Sequence, residues 1–83
     1  MTEAIKNELL KATALAQNNE WDAAHRIVQE YNNSTACWIH AMLHKIEGDE
    51  SNSRYWYARC HTHYEDFTNV AEEFNAIIKS LTT

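Results

Sequence analysis

Residues 34–49 read Ser34-Thr-Ala-Cys-Trp38-Ile-His40-Ala-Met-Leu43-His44-Lys-Ile-Glu47-Gly48-Asp49. Ala36, Ile39, Leu43 and Ile46 recur every three or four positions, the spacing of one helix face. Ser34 or Thr35 offers a side-chain oxygen to cap a helix over about 35–47. Gly48 is the residue that ends a helix in the left-handed conformation. Asp49 then caps the next one. A helix, its stop and a restart thus lie within sixteen residues, which is the beginning of a helical hairpin.

The same economy holds across the chain. In 83 residues there is no proline and no glycine but Gly48. The tight turns of a many-stranded sheet have almost nothing to be made from. The fold class expected is all-α, one domain over 1–83 with about five helices.

Working outward from that stretch, Ile5, Leu9, Ala12 and Ala16 form an apolar stripe over about 3–17. Gln17-Asn18-Asn19 breaks it, and Asn19 can cap a second helix over about 20–31 that buries Trp21, Ala24, Ile27, Val28 and Tyr31. After Asp49, a fourth helix over about 50–60 carries Tyr55, Trp56, Tyr57 and Cys60. Thr62 to Glu65 has capping-box spacing and Asp66 is a rival start for the last helix. That helix is expected to turn Phe67, Val70, Ala71, Phe74, Ile77, Ile78 and Leu81 inward and Glu72, Glu73, Asn75 and Lys79 outward.

Sliding the chain by about 29 residues superposes Leu10 on Ile39, Ala12 on Ala41, and Ala24 on Ser53. Each unit would be two antiparallel helices with small residues where the backbones approach closely. This resembles the tetratricopeptide repeat, although the period is about 29 rather than ~34 and the closing proline is missing. The resemblance implies two helical hairpins followed by a C-terminal capping helix.

Seven basic against twelve acidic residues leave a net charge of −5 with histidines neutral. That balance repels phosphate, so no nucleic-acid partner is expected. No apolar run approaches the ~20 residues of a membrane span, and the first residues lack the pattern of a signal peptide. Cys37 and Cys60 are too few for a disulfide scaffold and are read as free thiols of a cytoplasmic protein.

His40 and His44 lie four apart and share a helix face, with Glu47 three residues further along it. Such a pair can chelate zinc or another imidazole-loving ion, with Glu47 or a distant histidine as third ligand. It is not the metalloprotease pattern, because Ala41 stands where that motif needs glutamate. A metal needs three converging donors and the spacing guarantees two. The commoner fate of such histidines is burial with a hydrogen bond to a neighbour, and Glu47 can serve that way, setting a tautomer.

His25 meets the His40/His44 face if the second and third helices pack antiparallel. Trp56 would then wall the site and Arg59 clamp an anionic ligand. The candidate ligand-binding set is therefore His25, His40, His44, Glu47, Trp56 and Arg59, with His40, His44 and Glu47 as the weaker metal alternative. His61 and His63 sit at a helix end, where they complement the dipole, and such a His-x-His pair is a common adventitious metal binder. No glycine-rich phosphate loop, serine elbow or paired zinc CxxC occurs, so no cofactor is expected.

Ala24-His25, then Trp38 to Asp49, then Asn52-Ser-Arg-Tyr-Trp-Tyr57 is similar to a group of small bacterial helical proteins. Their pattern reads approximately AH, WxHAxxHRxEGD and NAxYWY, with Lys45 and Ser53 departing from it here. The resemblance implies an all-α fold and draws attention to the same six residues, and it implies no activity. The residues favour a protein-interaction or regulatory module, with a homo-oligomer compatible. A small ligand- or metal-binding protein or enzyme using His25, His40 and His44 is the alternative.

Overall fold

The computed structural model describes residues 1–83, which form five α-helices and no strand. They are α1 (Glu3–Gln17), α2 (Trp21–Val28), α3 (Ser34–Glu47), α4 (Glu50–Tyr57) and α5 (Val70–Thr82). A 3₁₀ turn at Tyr64–Asp66 lies between α4 and α5. No helix is long and apolar enough to cross a membrane.

Short polar breaks force the chain to double back, so α1 packs along α2 and α3 along α4. The small residues lie where the elements press together. Ala12, Ala24, Ala41 and Ser53 are all fully buried. Ser53 Oγ donates to the Ala41 carbonyl at 2.7 Å, so its hydroxyl enters the α3–α4 seam without an unmet hydrogen bond. α2 also lies on α3, and α5 lies against both α1 and α3. Leu9, Ile39, Met42, Leu43, Ile77 and Leu81 make up most of the dry interior, with α3 as its axis.

The boundaries refine the sequence reading. Gly48 ends α3 at φ 88°, and the Asp49 side chain accepts from the Asn52 amide, as the spacing predicts. α3 is capped by Asn33, whose Oδ1 accepts from the Ala36 amide, rather than by Ser34 or Thr35. Asn19 is not the cap of α2; it sits at φ 63° and makes the reversal itself, a conformation asparagine tolerates. α2 ends at Val28 and α4 at Tyr57, each about a turn short of expectation.

The last helix begins later, at Val70, with Asn69 Oδ1 accepting from the Glu72 amide. The capping box there belongs to His63 and Asp66 and closes the 3₁₀ turn, not a long helix from Thr62. This later start changes the inward face. Val70 and Ala71, expected inside, are exposed, and so is Ile46 in the last turn of α3, whereas Glu73, expected outside, is 1% exposed.

Glu73 is buried because it is fully partnered. Its Oε1 accepts from Lys45 Nζ at 3.0 Å, and its Oε2 accepts from Trp38 Nε1 at 2.9 Å and from the Tyr57 hydroxyl. Lys45 also donates to the Tyr64 and Phe67 carbonyls at 2.9 Å each. This polar knot ties α3 to α4, to the 3₁₀ turn and to α5. Burial and the bond to Glu73 push the Tyr57 hydroxyl pKa far above its ordinary value, so it stays protonated as a donor.

Candidate functional site

The second and third helices carry the site. Trp21 and His25 lie one turn apart on α2, and their rings stack at 4.8 Å between centroids with planes 9° apart. Trp21 Nε1 donates to the Leu43 carbonyl at 2.6 Å, which pins α2 onto α3 beside His44. His25 is thereby set against both α3 histidines. Its ring centroid lies 4.7 Å from that of His40 and 5.6 Å from that of His44. His40 and His44, one turn apart, lie 5.1 Å from each other. One donor nitrogen from each of the three lies within 4.8 Å of the others.

The surroundings keep these rings in place. Trp56 on α4 stacks on His40 at 3.9 Å with planes 12° apart. Trp21 meets His44 edge-on at 5.6 Å. His40 and His44 are buried, at 5% and 6% exposure, while His25 is half-buried and opens to solvent. Glu47 Oε2 lies 2.6 Å from His44 Nδ1. A carboxylate at that nitrogen accepts a hydrogen bond from Nδ1–H and so favours the tautomer whose lone pair is on Nε2.

Burial and mutual repulsion disfavour protonation of these rings. Desolvation, reinforced by His25 and His44, holds His40 well below the usual imidazole range, at about 4. His25 is lowered by desolvation and by His44. At neutral pH both rings are therefore uncharged, with a lone pair available for a cation.

The expected residues are brought together unequally. His25, His40 and His44 converge, so the third donor is the distant histidine. Glu47 pairs with His44 at Nδ1 and is not among the three converging donors, and Trp56 stacks on His40. Arg59 is exposed and lies over the Tyr55 ring at 3.7 Å, with Nη1 donating to the Tyr55 carbonyl at 3.0 Å. It reaches the outer side of Trp56 only, 5.8 Å from that ring, and not the histidines. Nor is there a concave pocket over the trio; the cavities of this surface are lined by other residues.

Trp21 is the site residue that sequence reasoning treated as core. Its signal was the four-residue spacing to His25. His63 is 79% exposed and turned toward Asp66, away from any third donor. Both cysteines are free, and burial pushes both thiols up from their ordinary pKa.

Three imidazoles from two helices, with a carboxylate behind one of them, form a nitrogen-donor set suited to zinc, copper or nickel and unsuited to calcium or magnesium. Comparison of the chain with models of known families, with curated proteins and with solved structures finds no match, so the reading of this site rests on its own geometry.

Proposed function

We propose that this chain is a small helical metal-binding protein that holds one divalent transition ion, zinc foremost, through His25, His40 and His44. The observation that carries the reading is the convergence of three imidazole donors within 4.8 Å. A tetrahedral ion with metal–nitrogen bonds of about 2.0 Å needs donors roughly 3.3 Å apart. Closing that difference takes on the order of 1 Å, an adjustment that falls to His25 as the least buried of the three. The Glu47–His44 contact supports the same reading, since metal-ligating histidines commonly give their second nitrogen to a carboxylate.

Isothermal titration of chelator-stripped protein with zinc tests it. The expected result is one equivalent bound, with affinity reduced at least ~10-fold in each of His25→Ala, His40→Ala and His44→Ala while circular dichroism keeps its helical signal. Zinc binding that survives all three substitutions, or that vanishes only in a His61→Ala, His63→Ala variant, overturns the proposal.

The interaction-module reading keeps an observation of its own. Tyr55 is 51% exposed with the Arg59 guanidinium laid over its ring. Aromatic–arginine pairs of this kind anchor protein interfaces. A Tyr55→Ala, Arg59→Ala variant should keep the metal and lose proteins that the wild type retains in a pull-down. Identical recovery by both refutes a role for the pair.

A further inference from the structure

Resting on the metal-binding reading, we propose that the site is an open one: the three histidines leave one coordination position to water, and the ion turns that water into a hydroxide that attacks small electrophilic carbonyl compounds, activated esters above all.

A structural zinc site is closed by four protein ligands, commonly with thiolates, whereas a catalytic one has three and leaves the fourth position to water. Here the cluster holds His25, His40 and His44; Glu47 and Asp49 gather with His44 but not with His25 and His40. Glu47 is engaged with Nδ1 of His44. Cys37 points to the Asn32 carbonyl, and Cys60 to the carbonyls of Tyr57 and Thr62. The flanking rings of Trp21 and Trp56 offer walls but no lone pair to a cation.

Orientation and charge follow from the same residues. His40 and His44 are buried and His25 is the donor nearest solvent, so water reaches the free position from the His25 side. Three neutral imidazoles leave the ion's double positive charge uncompensated within its first shell. That is the setting in which bound water ionises near pH ~7. The missing pocket limits the substrate to one that needs no binding cleft.

In the reaction the hydroxide oxygen forms a bond to the carbonyl carbon. The bond to the leaving alcohol oxygen then breaks, and that oxygen takes up the proton of the attacking hydroxide through solvent. A second water refills the position and releases a proton as it ionises. Ester and water thus become carboxylate, alcohol and one proton, with no oxidant or reductant involved.

The test uses the full chain, stripped with chelator and reloaded with one equivalent of metal. With zinc, multiple-turnover hydrolysis of p-nitrophenyl acetate should exceed that of metal-free protein and of free zinc at the same concentration by at least about tenfold. The excess should be absent from His25→Ala and unchanged in His61→Ala, His63→Ala. With cobalt, the visible absorption should shift saturably as azide is added, because an open position exchanges its ligand. If one equivalent binds, azide leaves the cobalt spectrum unmoved and ester turnover equals that of free zinc, the open-site inference falls while the metal-binding reading stands. An azide shift without turnover overturns the hydrolytic step. If no metal binds, both readings fall.

Discussion

Glu73 is a buried carboxylate made tolerable by its partners. Its two oxygens serve Lys45, Trp38 and Tyr57, and Lys45 is itself mostly buried. Removing one member of such a set leaves the opposite charge buried and uncompensated. Glu73→Ala is expected to cost about 3–5 kcal/mol, seen as a lower urea midpoint at unchanged slope. A loss below ~1 kcal/mol would mean that water readily replaces the carboxylate. Glu47 presents the opposite case, being exposed and bonded through one oxygen to His44. Glu47→Gln should leave stability nearly unchanged and weaken zinc binding about 10–100-fold, measured by competition with a chromogenic chelator. A variant that binds zinc like the wild type would show that His44 needs no orienting partner.

Among the elements, α3 decides the most. One face of it feeds the core through Ile39, Met42 and Leu43, another carries His40 and His44, and a third sends Lys45 to the polar knot. Three jobs on one helix explain why it is buried almost all round from Ala36 to His44. α2 is only eight residues long and has no side-chain cap, so its place depends on Trp21 and on Ala24 and Val28 in the core. α5 depends on a clean start at Asn69. Asn69→Ala should cost about 1 kcal/mol, read from chemical denaturation, and raise hydrogen exchange in the first turn of α5 before other helices. Unchanged exchange there would make the cap redundant with the Glu73 anchor.

At the scale of the whole molecule, the histidine trio couples folding to protons and, in the proposed reading, to metal. The charges that reach His40 are those of His25 on α2 and His44 on its own helix, and the Trp56 ring of α4 covers it. Its folded pKa of about 4 lies below the ordinary 6.5, so the unfolded chain binds the proton better. The stability involved is fully present above pH 6.5 and is lost as pH falls toward 4, on the order of 3 kcal/mol for the metal-free protein. His25, also lowered, acts in the same direction. Thermal melts of metal-free protein between those limits should show a falling midpoint. Saturating zinc should raise the midpoint at neutral pH, because only the folded chain gathers the three donors. A flat profile would show that the rings are hydrated in the fold.

The linear pattern of residues was enough for the all-α class, the helix count, the Gly48–Asp49 joint and the small-residue seams at Ala12, Ala24, Ala41 and Ser53. These follow from local rules: helix spacing, capping and the need for small side chains where backbones meet. The pairing of His40, His44 and Glu47 on one face was legible for the same reason, since neighbours on a helix are neighbours in sequence. Tertiary packing alone decided that His25 completes the trio, that Arg59 turns away to Tyr55, and that Glu73 goes inside. Each depends on which side of one helix meets another, and on partners distant in sequence: Leu43 for Trp21, His40 for His25, and Lys45 and Trp38 for Glu73. A carboxylate reads as surface from its own charge; only a lysine delivered from another helix makes the interior its lower-energy place.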